Sequence, residues 1–385
     1  MTAADVDATT RLVLALAFAI GVVFGVVAQR TRFCTMGAIA DLAVTGDSTR
    51  IRMWAVAVGT AIIGFNVLVW LGWMQAANSI YAGPRVLWLS ALVGGVMFGI
   101  GMVLASGCTS KNLLRAGSGN LKAVVVLLVV ALAGFATLKG IAAVVRVNTV
   151  DAVFISLEGA QDLPSLLSRA TGMKPGLLAL VLGVAIGGAV LIVALYSRRL
   201  RDPELVLGGA AIGGLVVAAW WVSGVLGHVA EHPVTLESVF LATNSRRMES
   251  LSYVSAVSYS VDYLLFFSDA SKVLTIGIVS AVGLAVGSAI HAASTNTFRW
   301  EGFAGVSDLR NHLAGGLLMG VGGVTALGCT IGQGLSGVST LSVTSFIALA
   351  SMVAGAFATV KLQLRQLERE PETPRTGPVL SQRQS

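Results

Sequence analysis

The feature that most restricts this chain is an internal duplication. Laid over Ala314–Ser342, the stretch Val93–Leu121 matches it without a gap at eleven positions, among them Gly94/Gly315, Gly99/Gly320, Gly101/Gly322, Gly107/Gly328, Cys108/Cys329 and Thr109/Thr330. The repeated unit is a glycine-rich apolar helix that runs into Gly-Cys-Thr and then into a short polar or glycine-rich segment. At membrane depth, broken backbone survives only where protein or a water-filled cavity satisfies its N–H and C=O groups. A duplicated break of this kind is where transport folds place their substrate.

That the break lies in lipid follows from charge density. The 385 residues are 55% hydrophobic and only 12% charged. A soluble domain carries about 25% charged residues, and a chain with half that density cannot cover a water-facing surface. Its 45 glycines let membrane helices approach closely. The net charge of +7 is what a positive-inside bias produces, with a preference for anions as a second cause. No dense basic run lies outside loops and tail, which argues against nucleic acid. Three cysteines, Cys34, Cys108 and Cys329, make neither a disulfide framework nor a zinc spacing. The first apolar run, from Leu12, continues without a cleavage site and reads as a retained span.

A span needs about 20 mainly apolar residues. Nine stretches qualify: roughly 12–29, 52–74, 87–105, 121–145, 176–196, 205–228, 272–292, 312–328 and 341–361. Four segments between them, 32–46, 106–120, 296–310 and 329–340, are too polar or glycine-rich to span and too apolar for ordinary loops. They read as re-entrant half-helices. The predicted fold is therefore an all-α polytopic membrane protein with about nine spans and four short re-entrant helical loops. Residues 1–11 form a leading segment, 12–361 one transport domain (repeat one about 12–145, repeat two about 176–361), and 362–385 a disordered cytoplasmic tail. With the C-terminus inside, seventeen of the 26 lysines and arginines fall on the cytoplasmic side, which orients the chain. The two Gly-Cys-Thr helices then enter from opposite faces, an inverted repeat. The region 146–175 reads as an outer loop with a short helix and 229–271 as interfacial helices on the outer surface. Neither shows a site.

At the breaks, Gly107 and Gly328 relax the backbone. Thr109 and Thr330 cap the half-helices that follow, and the freed N–H groups favour an anion. Asn112 and Gln333 align and offer further donors. Serine would serve a hard oxyanion better than cysteine. A thiol is a weak donor and a polarizable group, suited to a terminal sulfur as in thiosulfate. A single cysteine in such a chain is most often a small buried hydrophobe; two at equivalent positions, each beside Gly and Thr, shift the balance towards a path for a soft anion. Cys34, followed by Thr35, starts another short helix after Arg30-Thr31-Arg32-Phe33. Its second-half counterpart is Thr297–Asp308, where Arg32-Phe33 meets Arg299-Trp300 and Cys34 faces Glu301. Arg32, with Arg30 and Arg299, either draws anions to the cytoplasmic mouth or anchors the chain there. His291, His312, Glu301 and Asp41 are internal titratable groups with no visible partner. There is no Ser-His-Asp order, HExxH or Walker loop, so catalysis and nucleotide drive find no support, and no cofactor is expected.

At these motifs the chain resembles the YeeE/YedE family of bacterial inner-membrane sulfur transport proteins. The resemblance rests on Arg30-Thr31-Arg32-Phe33-Cys34, Ser106-Gly107-Cys108-Thr109 and Leu327-Gly328-Cys329-Thr330-Ile331-Gly332-Gln333-Gly334-Leu335-Ser336-Gly337, and it covers most of 12–361. It is closest to the YeeE branch, which takes up thiosulfate. It implies an hourglass with short helical loops pinching a constriction, passage of substrate by transient S–H···S contacts between cysteines matching Cys34, Cys108 and Cys329, and a cytoplasmic TusA-like or rhodanese-like sulfur acceptor. Two other readings stay open: a membrane sulfurtransferase that keeps a persulfide, and a pathway for another sulfur or selenium anion.

Overall fold

Long apolar runs punctuated by caps dictate the architecture. Asn120 accepts from the N–H of Ala123 at 2.9 Å and starts one helix. Asp202 accepts from Glu204 at 2.9 Å, with Pro203 in the first turn of another. Such residues satisfy N–H groups that the helix itself leaves unpaired. The computed structural model describes residues 2–196, 202–233, 236–269 and 272–369. Its helices are α1 (Ala3–Arg30), α2 (Thr35–Val44), α3 (Thr49–Trp70), α4 (Trp88–Leu104), α5 (Thr109–Gly117), α6 (Leu121–Lys139), α7 (Ile141–Asn148), α8 (Leu163–Thr171), α9 (Pro175–Leu195), α10 (Pro203–Trp221), α11 (Tyr253–Leu265), α12 (Ile276–Ser294), α13 (Val306–Thr325) and α14 (Val343–Arg369). Two short antiparallel pairs complete the described residues: β1 (Arg85–Val86) with β2 (Ile155–Ser156), and β3 (His228–Val229) with β4 (Val239–Phe240).

Eight helical stretches, containing α1, α3, α4, α6, α9, α10, α12 and α14, are long and apolar enough to cross a membrane. Large apolar side chains such as Leu128, Leu132, Ile192 and Val193 stand exposed on them, as lipid-facing surfaces require. The chain is an all-α polytopic membrane protein. The remaining helix, α13, has 20 residues, enough for a span, but Asp308, Arg310 and His312 occupy its first two turns.

Glycine contacts fix the direction of each packed pair. Gly94 lies against Gly322 and Gly101 against Gly315, so α4 and α13 are antiparallel. Gly95 and Gly99 meet Ala348 and Met352, so α4 and α14 are parallel. Gly316 and Gly320 meet Val126 and Val130, so α13 and α6 are parallel. Gly21 and Gly25 run along Ser280 and Leu284, giving parallel α1 and α12, while Gly59 against Gly187 with Gly183 against Asn66 makes α3 and α9 antiparallel. All of these directions agree with nine alternating crossings in which α13 is the eighth. Under the 94/315 equivalence the α4–α13 contact maps onto itself, and the α4–α14 contact maps onto α13–α6. The duplicated unit is thus arranged as an inverted pair.

Three of the four short segments between spans are helical: α2, α5 and a π-helical turn over Gly332–Gly337. The fourth expectation, 296–310, is corrected. The chain is non-helical up to Gly305 and then becomes the first turn of α13. Two glycines and the Phe298–Trp300 edge contact disfavour a helix there, and its backbone pairs with the α5–α6 turn instead: Arg299 N–H donates to Ser118 O at 3.2 Å, and Leu121 N–H to Glu301 O at 2.9 Å. Residues 229–271 also differ from expectation. Helix α11 packs on α6 and α12, and Tyr253 and Ser258 are fully buried in it. At the C-terminal end, α14 continues to Arg369, past the expected end of the domain at residue 361. Residues 370–385, with Arg375 and Arg383 of the charge count, lie outside the described residues, as do Arg198, Arg199 and Arg201.

Candidate functional site

Four helices end alike. After α1, α4, α12 and α13 comes one residue in the left-handed region: Arg32 (φ 53°), Ser106 (φ 55°), Asn296 (φ 53°) and Leu327 (φ 59°). The N–H of the next residue then reaches back five positions: Phe33 to Ala28 O, Gly107 to Met102 O, Thr297 to Ala292 O and Gly328 to Gly323 O, all at 2.8–2.9 Å. This C-terminal motif normally takes glycine at the left-handed position, and a residue with a Cβ pays about 1–2 kcal/mol there. Such conformations persist only where the surrounding structure over-determines them. The residue that follows is Cys34, Cys108, Phe298 or Cys329 in turn. Backbone equivalence therefore pairs Cys34 with Phe298, correcting the sequence register that set it against Glu301. Glu301 instead hydrogen-bonds Asn120.

Each cysteine stands at the start of the next helical turn. Cys34 is the N-cap of α2, and its sulfur accepts from Gly37 N–H at 3.3 Å. The Cys329 sulfur accepts from Gly332 N–H at 3.4 Å. Cys108 is the N-cap of α5, with its sulfur 3.2 Å from Ser110 Oγ. At α5 cysteine thus takes the capping position expected of Thr109, which falls one residue inside; at the second break the cap is Ile331, and both Cys329 and Thr330 precede it. The consequence is electrostatic: three soft sulfurs sit where backbone N–H groups point outward and favour negative charge. The hydroxyls of Thr35, Thr109 and Thr330 are each buried without a hydrogen-bond partner in the protein. An unmet buried hydroxyl costs about 1–3 kcal/mol, so three at equivalent positions call for an external acceptor or donor.

The cysteines are ordered Cys34, Cys108, Cys329. Cys108 lies within electrostatic range of both others; Cys108 and Cys329 are fully buried, and Cys34 is partly exposed. A cavity of about 570 Å³ opens at the Cys34 end, lined by Gln29, Arg30, Arg32, Arg50, Ser106, Lys111 and His291 among others. Arg30 pairs with Glu204 at 2.5 Å and Arg50 with Asp41 at 3.3 Å. Arg32 and Lys111 make no ion pair among the described residues, so this cavity is net positive. A second cavity of about 170 Å³ reaches Leu327 and Gly328 at the other end, lined by Arg146, Glu249, Ser250, Ser252, Ser255 and Tyr259. Ser106 and Leu327 are repeat equivalents on antiparallel helices, so the cavities open towards opposite faces. Between them is packed protein.

The second break is held by a dense polar frame. Asn66 Nδ2 donates to Ser339 O at 3.0 Å, Trp220 Nε1 to Ser339 Oγ at 3.0 Å, Ser336 Oγ to Leu251 O at 2.8 Å and Ser342 Oγ to Tyr81 O at 2.7 Å. Irregular backbone at membrane depth is thereby satisfied. Asn112 and Gln333 do part of this work. Asn112 Nδ2 donates to Gly107 O and Cys108 O at 2.9 and 3.2 Å, and Gln333 Nε2 to Ala326 O at 2.5 Å. Their amide donors are spent on the break, and each leaves a buried oxygen without a partner. His291 lines the larger cavity. His312 is buried against Asp308 at 2.9 Å, away from both cavities.

Sequence reasoning missed the residues around Cys329 that come from connections. Tyr81, Ser252 and Tyr253 are buried beside it; the Tyr253 hydroxyl has no partner, those of Tyr81 and Ser252 lie within poorly aligned reach of each other, and Glu249 lines the adjoining cavity. A compositional signal existed: the chain has five tyrosines, and three of them, Tyr81, Tyr253 and Tyr259, gather at this end.

The chain is 25% identical to the thiosulfate transporter TsuA of Escherichia coli K12 over 346 residues, 88% of this chain and 91% of that protein. It is 27% identical to the thiosulfate transporter TsuA of Spirochaeta thermophila over 342 residues, 87% and 94% of the two chains. The probable transporter YedE of Escherichia coli matches over 108 residues at 32% identity, covering 28% of this chain and 25% of that protein. A family model described as sulphur transport matches residues 30–358, which contain every break and all three cysteines. The chain belongs to the sulphur transport family.

Proposed function

We propose that this protein takes up thiosulfate, moving it from the smaller cavity past Cys329, Cys108 and Cys34 to the larger, basic cavity. The observation that carries this is the row of three cysteines, each two residues after a left-handed break and just before a helical turn, strung between cavities on opposite faces. Two relatives aligned over nearly nine-tenths of the chain are thiosulfate transporters. A neutral thiol holds a sulfane sulfur weakly, and conduction needs sites that bind well enough to enter and weakly enough to leave. The larger cavity carries Arg30, Arg32, Arg50 and Lys111 and by the positive-inside rule faces the cytoplasm of an inner membrane. A TusA-like or rhodanese-like acceptor would meet the anion there.

The test is uptake of radiolabelled thiosulfate into cells unable to use sulfate. Cys108→Ala abolishes uptake while the protein inserts at normal levels; full uptake by that variant refutes the relay. A second reading, a sulfurtransferase that keeps a persulfide, has one observation in its favour. Cys34 is the one partly exposed cysteine and lines the cavity that holds Arg32 and Lys111, and access of this kind is what a reactive thiol needs. Intact-protein mass spectrometry after exposure to thiosulfate separates the two, since a retained extra sulfur on Cys34 is the mark of the enzyme.

A further inference from the structure

Tyr81 and Ser252 lie outside every motif of this chain, in connections with no helical periodicity. Tyr81 sits between α3 and α4, and Ser252 is the residue before α11. Tyr81 is 2% and Ser252 7% exposed; their hydroxyls lie within reach of each other, poorly aligned, and neither has a partner of good geometry. Both face one spot. A Cβ built on Gly332 would lie 2.5 Å from Ser252 Oγ and 3.3 Å from Tyr81 OH. Gly332 is also the residue whose N–H points at the Cys329 sulfur at 3.4 Å. On its other side Ser252 lines the smaller cavity, beside Gly328. The two hydroxyls therefore stand between that cavity and the third cysteine.

We infer that Tyr81 and Ser252 form a neutral oxyanion clamp, donating to the sulfonate oxygens of the substrate while its terminal sulfur meets Cys329. This rests on the thiosulfate reading above and assigns the polar end of the anion, which the cysteines do not hold. The poorly aligned contact between the two leaves buried hydrogen-bonding capacity unmet, and such capacity costs stability unless something occupies it. Hydroxyls are hard donors suited to oxygen, and the thiol is a soft group suited to sulfur. Side by side they match an anion that carries both ends. The clamp needs no cation, which keeps binding weak enough for release. Gly332 belongs to it by absence, because a methyl group there would fill the space between the hydroxyls and the cysteine.

The test uses full-length protein in lipid nanodiscs and proteoliposomes, with Tyr81→Phe, Ser252→Ala and the double variant, each deleting oxygen and little else. Thiosulfate uptake is read as KM and maximal rate, and thermal unfolding is read with and without thiosulfate. Each single variant raises KM by about tenfold or more, as loss of a hydrogen bond to a charged group does, with the maximal rate within about twofold of wild type. In the absence of substrate Tyr81→Phe melts close to the wild-type temperature, because the contact it loses with Ser252 is poorly aligned, and its thiosulfate-induced rise in melting temperature shrinks. A hydroxyl with a merely structural role gives the opposite pattern, a lower melting temperature with KM unchanged, and that result overturns the clamp. Wild-type uptake of thiosulfate with both variants at wild-type KM overturns the clamp and leaves the relay standing. Failure of the wild type to take up thiosulfate overturns both.

Discussion

Gly101 and Gly315 meet backbone to backbone: a Cβ on either would lie 2.7 Å from the carbonyl oxygen of the other. Gly94 and Gly322 repeat the contact at the same 2.7 Å. Two helices from opposite faces can cross this closely only where side chains are missing, and the crossing sets the two breaks relative to each other. Gly315→Ala therefore destabilises the protein. Its methyl group falls 2.6 Å from Ala105 N and 2.7 Å from Gly101 O, and backbone cannot step aside. The expected loss is about 1–3 kcal/mol or more, seen as a lower melting temperature in nanodiscs and a loss of uptake. Gly188→Ala on α9 is the control. Nothing lies within 4 Å of its Cβ, and replacing a mid-helix glycine gains up to about 1 kcal/mol. Equal melting temperatures for the two variants would remove the crossing from the account.

The amides of Asn112 and Gln333 give a prediction that separates framework from substrate contact. Asn112 Nδ2 reaches the carbonyls of Gly107 and Cys108. Asn112→Asp brings a carboxylate against two carbonyl oxygens in a buried site and strands both acceptors. The expected cost is about 2–4 kcal/mol in stability, read as a melting temperature that thiosulfate does not restore. An unchanged melting temperature with a raised KM would instead make Asn112 a substrate donor.

The apolar runs made the membrane architecture legible, since a run of about 20 apolar residues has few other uses, and the duplicated glycines announced the inverted crossing. The equivalence of Cys108 and Cys329 was legible for the same reason. The frame around them was not. Tyr81, Glu249 and Ser252 come from connections whose course is set by pairing with distant backbone, such as Met248 N–H to Asn78 O at 3.1 Å and Leu163 N–H to Leu341 O at 3.1 Å. No local pattern encodes such partners. The register of Cys34 failed because left-handed positions carry Arg32 and Asn296, residues with nothing in common as side chains. Backbone geometry, not side-chain similarity, marks the equivalence.

Burial orders the reactivity of the thiols. Cys34 lines the larger cavity, while Cys108 and Cys329 are closed off from both. A membrane-impermeant maleimide applied from the face of the larger cavity labels Cys34 at least about tenfold faster than the other two, since buried thiols are inert. Thiosulfate slows that labelling. Peptide mapping of inside-out vesicles reads the sites directly. Rapid labelling of Cys329 from that face would mean that the constriction between the cavities is open and that the order of the cysteines is wrong.

Glu249 makes the smaller cavity sensitive to pH. Burial pushes its carboxyl above the ordinary range, against donation from Ser245 Oγ at 2.5 Å and Ser245 N–H at 3.3 Å. The charged and titratable side chains lining the same cavity are Arg146 and Tyr259. Arg146 spends its charge on Asp151 at 3.2 Å, so an ionised Glu249 leaves the cavity net negative in the path of an anion. The sign for stability follows from the raised value. The ionised form is penalised in the folded state, so stability is fullest below the unfolded carboxylate value of about 4.3 and declines as pH rises through the folded value. Glu249→Gln therefore melts higher than wild type above that window and equally below it. For transport, protonation removes the repulsion, so wild-type KM falls as pH drops through the folded value, which burial holds above the ordinary carboxylate range. Glu249→Gln holds the low KM throughout. Uptake kinetics in proteoliposomes across that range decide the matter: parallel pH profiles for wild type and Glu249→Gln would show that the carboxyl does not face the anion's route, whereas a flat profile in the variant alone places the repulsion at this one side chain.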